Sequence, residues 1–248
     1  MTTPTRAPTS SRAALGRRPV RLTVAPRTAD TIPLPLHIES AKAFGAAFLV
    51  PATAAERMLG AHHVIRRFAG TLALLQVMAM RVVDSDFGPC QLAVTALKGV
   101  GNRAPDWHVC DVVANQDLAY ERLQMLHLPA RCASVTWHES RRGCELVVIE
   151  EGDVFFGLSC PLPRVGLPNA HTSFLCSTPA DRRRAGLRVQ VEVSVVAAPA
   201  SASLVLGDHL EAAARLRALG LPRSPLLAFR SRKLRMTISD AADVDQTA

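Results

Sequence analysis

From Phe44 to Ile238 the chain is a succession of short runs rich in Val, Leu, Ile and Ala, each cut by Gly, Pro, Asp or Asn. Such runs are too short and too closely punctuated for stacked helices, and their length suits strands. Strands are expected at Phe44–Val50, Ala69–Val83, Gln91–Ala96, Trp107–Ala114, Cys132–His138, Glu145–Glu150, Val154–Cys160, Thr172–Cys176, Leu187–Val196, Ala202–Leu206 and Leu226–Ile238. Three short helices interrupt them. Ala52–Leu59 follows Pro51, whose fixed φ suits a first turn; Gln116–Leu126 has Asn115 as its cap; Glu211–Leu219 ends before Gly220-Leu221-Pro222. Arg141-Arg142-Gly143 reads as a hairpin turn. Many strands with few helices leave sheet edges to hide, and closing the sheet on itself hides them. The expected class is therefore mainly β (α+β), a closed antiparallel β-barrel or cone with a few short helices.

A hydrophobic fraction of 48% in 248 residues can supply one sizeable core. The expected organisation is a basic leader over residues 1–33, a single barrel domain over 34–239 and a flexible tail over 240–248. The leader carries Arg6, Arg12, Arg17, Arg18, Arg21 and Arg27, with no acid before Asp30 and no apolar segment of the kind a secretory signal needs. Net charge is +8, but the excess is scattered arginine, aromatics are only 4%, and no nucleic-acid-binding motif is present. Nucleic acid is therefore not the expected partner. The apolar run from Phe68 to Met80 is too short for a membrane-spanning helix. Six cysteines show no Cys-x-x-Cys pair and no zinc spacing, and His62-His63 lacks a nearby third ligand, so neither a metal nor any other cofactor is expected. Thiols in apolar strands suit a reduced, cytoplasmic protein.

Two segments carry a resemblance. One is Glu121-Arg122-Leu123-Gln124-Met125-Leu126-His127-Leu128-Pro129-Ala130-Arg131, and the other is Asp84-Ser85-Asp86-Phe87-Gly88-Pro89-Cys90-Gln91-Leu92. In order and spacing they are similar to the signature segments of the acetoacetate decarboxylase superfamily. Leu204-Val205-Leu206-Gly207-Asp208-His209-Leu210, leading into a helix, resembles the closing part of that family. The resemblance spans roughly residues 35 to 238 and implies the family's barrel around a small-molecule cavity, built as a homo-oligomer. In the family, the first lysine of a Pro-Lys-Lys motif forms a Schiff base with the substrate ketone. Here that slot holds Ala130 and the second lysine slot holds Arg131. The family's catalytic glutamate falls on or near Leu92. Its Arg and Glu slots hold Leu123 and Gln124, unless the helix slips by one and Arg122 takes the Arg role. His127 replaces a usual glycine.

Only a primary amine condenses with a ketone to give an iminium, so neither alanine nor arginine can replace the lysine. A guanidinium remains protonated and can clamp an oxygen but cannot attack carbon. Lys42, Lys98 and Lys233 are the chain's only lysines. Lys98 reads as a solvated lysine at a strand end, Lys233 as part of a wet strand face, and Lys42 as the least unsuitable substitute. The remaining polar candidates are Asp111, which interrupts an apolar strand and would have its pKa raised by burial, and His127, a possible base. With Arg131 they form the expected catalytic set. Gln76, Gln91, Leu92, Gln124 and Ala130 are the expected substrate-binding positions. The implied function is a non-decarboxylating enzyme of specialised metabolism that encloses a mostly apolar small molecule and promotes cyclisation, dehydration or isomerisation by shape and acid/base groups. The alternatives are a non-catalytic carrier on the same barrel, and a residual decarboxylase or aldolase that uses Lys42.

Overall fold

A computed structural model describes residues 33–60, 63–100, 106–161, 165–166, 170–177, 186–199 and 202–240; residues 165–166 and 195–199 are described by backbone alone. The basic leader and the tail beyond Asp240 lie outside them. The chain opens with β1 (Leu36–Pro51), α1 (Ala52–Leu59), β2 (Leu72–Ser85), β3 (Cys90–Lys98) and β4 (Trp107–Ala114). Next come α2 (Asp117–Met125), β5 (Ala130–Cys132), β6 (Ser134–Glu139), β7 (Gly143–Glu150) and β8 (Asp153–Pro161). It closes with β9 (Val165–Gly166), β10 (Ala170–Ser177), β11 (Leu187–Pro199), β12 (Ser203–Leu206), α3 (Glu211–Arg217) and β13 (Leu227–Asp240).

The main sheet runs β10-β11-β13-β1-β2-β3-β4, and β10 pairs with β4 to close a barrel of seven strands. Its ladders are antiparallel except for that closing pair, where Cys176 lies opposite Trp107 and the strands are parallel. An odd number makes this unavoidable, since strands that alternate in direction around a ring must meet once with the same sense. The expected all-antiparallel closure is corrected at this one seam. β5 adds to β4, also in parallel.

A second, four-stranded sheet, β12-β8-β7-β6, packs on one side of the barrel. The expected strand Cys132–His138 divides at Ala133: the piece before it joins the barrel and the piece after it joins the second sheet. β1 starts eight residues before the expected Phe44, because Leu36 and Ile38 face inward while His37 and Glu39 face out, and two bulges near Ala41 hide the alternation. Asn115 does not cap α2. Its side-chain oxygen accepts the backbone N–H of Gln91 at 2.7 Å, and Gln116 stands at the N-cap without a side-chain bond.

Two apolar clusters follow from the alternation of each barrel strand. Outward residues such as Phe44, Phe48, Leu75 and Val77 meet Leu146, Val148, Phe156 and Leu158 of the second sheet. Each such buried side chain contributes about 1.5–3 kcal/mol. Inward residues such as Met80, Leu92, Val112, Val189 and Leu234 form the barrel interior, and α2 lays Ala119, Leu123 and Leu126 against it.

Candidate functional site

The interior residues do not fill the barrel. They enclose a cavity of about 610 Å³, within the range of small-molecule sites. β2 supplies Leu74, Gln76, Met78 and Met80; β3 supplies Leu92, Val94, Ala96 and Lys98; both sets are successive residues on one strand face. Room is made on β1, where Gly45 sits between the lining residues Ala43 and Ala47. A Cβ there would lie 2.5 Å from the Phe229 ring, which also faces the cavity. At one end of the cavity the wall is deeply buried, with Phe87, Leu92 and Leu123 at 2–4% exposure. At the other end Leu227 is 40% exposed, and the Lys98 and Asp106 side chains are 22% and 30% exposed. The cavity thus has an apolar floor and a more open, polar rim.

Ala130, the expected occupant of the resembled family's lysine position, lies behind the floor and does not itself line the cavity. It is paired with the lining residue Val112 and packs in the same apolar cluster as Leu123 and Leu128. Nothing nucleophilic stands at that point. Arg131 turns the other way. Its guanidinium makes a two-pronged contact with Asp111, at 3.0 and 2.6 Å, bonds Glu150 as well, and stacks 4.5 Å over the Phe155 ring. Burial pushes the Asp111 carboxyl above the ordinary aspartate value even with the Arg131 guanidinium beside it and opposing the shift. This cluster joins barrel strands to the second sheet, and none of its members lines the cavity. Asp111 faces outward because the ladder between β3 and β4 slips at Cys110. Thr95 is then opposite Asp111 and Ala96 opposite Val109, so both Val109 and Val112 face the cavity.

The expected gathering of Arg131, Asp111 and His127 around one ligand therefore does not occur. His127 is exposed, at φ 57°, just beyond α2. The left-handed backbone explains why a glycine suits this place, and His127 serves as a helix-ending residue whose N–H bonds the Gln124 carbonyl at 2.8 Å. Gln124 is exposed on the helix, and Gln91, next to the inward Leu92 on β3, faces away from the cavity. Of the expected binding positions, Gln76 and Leu92 line the cavity, and Ala130 packs behind it without lining it. Lys42 lies outside it, 3.0 Å from Glu139, which also receives Arg230.

Sequence reasoning missed Lys98, Asp106 and Trp107. Lys98 does not stand free in solvent. It lines the cavity, 3.8 Å from an Asp106 oxygen and 4.8 Å over the Trp107 ring. The signal was present: continuing β3 two residues beyond Ala96 puts Lys98 on the same face as Leu92 and Val94. Among the described residues no cluster of three or more His, Cys, Asp or Glu could hold a metal ion, and no helix is long and apolar enough to cross a membrane.

No family model and no curated protein matches the sequence. Solved structures do match. Acetoacetate decarboxylase aligns with a TM-score of 0.63 at 12% identity, over 85% of this chain and 88% of that one. The acetoacetate decarboxylase of Legionella pneumophila gives 0.60 at 12%, over 87% and 89%. The enduracididine biosynthesis enzyme MppR complexed with pyruvate gives 0.61 at 14%, over 88% and 93%. At these identities the likeness establishes the fold.

Proposed function

On an acetoacetate decarboxylase fold whose lysine position is filled by Ala130, we propose an enzyme of specialised metabolism that encloses a mostly apolar small molecule and promotes its cyclisation, dehydration or isomerisation without a Schiff base. The observation that carries this reading is the cavity itself: about 610 Å³, walled mainly by aliphatic and aromatic side chains, with the inert Ala130 packed behind its floor. Such a cavity can hold a flexible substrate near its reactive geometry, and proximity and orientation alone can contribute up to about 7–11 kcal/mol to a barrier. Reactions of this kind need few acid/base groups. The likeness to MppR, a biosynthetic enzyme on this fold, supports the reading.

One observation favours a second reading, a non-catalytic carrier. Arg131 and Asp111 spend their hydrogen bonds on each other and on Glu150, away from the cavity. Mass spectrometry of small molecules from cells with and without the gene separates the two, with restoration by wild type or by an Ala96→Trp variant that fills the cavity. The enzyme reading predicts that loss leaves an isomer, or a species heavier by one water, and that only wild type restores the product. Unchanged products in altered amounts would instead establish the carrier.

A further inference from the structure

We infer that Lys98 and Asp106 form the polar recognition point of the cavity and take the neutral carbonyl oxygen of a ligand whose apolar body reaches toward the floor. This rests on the cavity reading above and adds the chemistry of the ligand's head. Among the described lining residues Lys98 is the one cation and Asp106 the one carboxylate, and both stand at the rim. The 3.8 Å between Lys98 Nζ and Asp106 Oδ1 makes an ion pair but is too long for a hydrogen bond. Asp106 is held from behind, its Oδ2 accepting the Leu175 N–H at 3.0 Å. The Trp107 ring lies beneath the ammonium and covers one side of it with a π face. The ammonium thus directs N–H donors at the cavity without an acceptor at bonding distance among the described residues.

Gln76 completes this end. It lies opposite Ala96, two residues before Lys98 on the same strand face, and so is a diagonal neighbour roughly 7–8 Å away. Among the described residues its amide nitrogen reaches the Met78 sulfur alone, at 4.0 Å.

Charge selects the head group. The pair sums to zero, so a carboxylate ligand would leave one negative charge uncompensated in a mostly apolar site, which is costly. A plain hydrocarbon would leave the donors bare. A neutral carbonyl satisfies the ammonium and adds no charge. The ligand class is therefore a ketone or other neutral carbonyl compound bearing a long or cyclic apolar body, entering apolar end first.

The test is calorimetric titration of a nine-carbon methyl ketone, the nine-carbon fatty acid and nonane into the full-length protein, with Trp107 fluorescence as a second readout. Wild type should bind the ketone most tightly. Lys98→Met, close in shape and uncharged, should weaken the ketone about tenfold, the worth of a charge-assisted hydrogen bond, and leave nonane unchanged. Asp106→Asn, which frees one positive charge, should turn the preference toward the fatty acid. Equal loss of ketone and nonane in Lys98→Met, no loss of either, or a wild-type preference for the fatty acid would overturn the assignment while the cavity reading stands. If Lys98→Met does not fold, an Asp106→Asn variant with no gain for the fatty acid overturns it instead. Failure of all three compounds to bind wild type would overturn both readings.

Discussion

His108 is a buried imidazole with both ring nitrogens engaged: Nδ1 lies 2.8 Å from the Ser177 hydroxyl and Nε2 3.0 Å from the Val64 carbonyl. In the neutral tautomer that suits both partners, Nε2–H donates to the carbonyl and Nδ1 accepts from the hydroxyl. Burial holds its pKa below the ordinary histidine value, against the contrary pull of the Val64 carbonyl. The unfolded chain therefore binds a proton near pH 6.5 that the folded chain does not. Stability rises with pH through this window and is lost as pH falls from the unfolded value toward the folded one. The melting temperature should drop between about pH 7.5 and about pH 5.5, and His108→Gln should flatten that slope. A full slope in the variant would show that the proton binds elsewhere. His108 carried no functional signal in the sequence, whereas Ala130 and Arg131 were legible beside Pro129. What was not legible was the direction of the Arg131 side chain. Side-chain sense in a three-residue strand is set by its register against β4, and register is a tertiary property.

At the scale of elements, the barrel and the second sheet are joined by charge as well as by apolar packing. Arg131 bridges Asp111 on β4 and Glu150 on β7. Arg131→Met would leave two carboxylates facing one another with no cation between them, and should cost about 3–5 kcal/mol in denaturant unfolding. Ligand affinity should be unchanged, because the cluster does not line the cavity. Loss of affinity at unchanged stability would place Arg131 in the binding site after all. Gly45→Ala should disturb the cavity as well as the stability, since its Cβ would push on the Phe229 ring and on the Val77 carbonyl 2.6 Å away. The expected penalty is about 1–3 kcal/mol, with a smaller cavity and weaker ligand binding. Strand positions were legible because apolar runs and Gly/Pro/Asp turns are local signals. Sheet membership was not. The single residue Ala133 separates β5, which extends the barrel sheet beside β4, from β6 of the second sheet, and no Gly, Pro, Asp or Asn marks the break.

At the scale of the molecule, closure of an odd-numbered barrel by the β4–β10 pair produces an interior lined on all sides. Barrel closure could be argued from the number of strands and the scarcity of helices. The cavity could not, since whether inward side chains meet or leave space depends on small residues at particular registers, such as Ala43, Gly45, Ala47 and Ala96. Its polarity follows the same logic: an apolar floor around Leu92 and Leu123, and a charged pair at the rim. Four of the six thiols, Cys90, Cys110, Cys160 and Cys176, are pushed up by burial to about 11 or 12, which leaves them poor nucleophiles.

The central proposal is that this chain keeps the fold and works without a Schiff base. Borohydride reduction of the wild-type protein in the presence of acetoacetate or a longer methyl ketone, read by intact-protein mass spectrometry, tests it directly. The expected result is an unchanged mass, with Ala130 behind the cavity floor, Lys42 outside the cavity beside Glu139, and Lys98 ion-paired with Asp106. A reduced adduct on any lysine would contradict it.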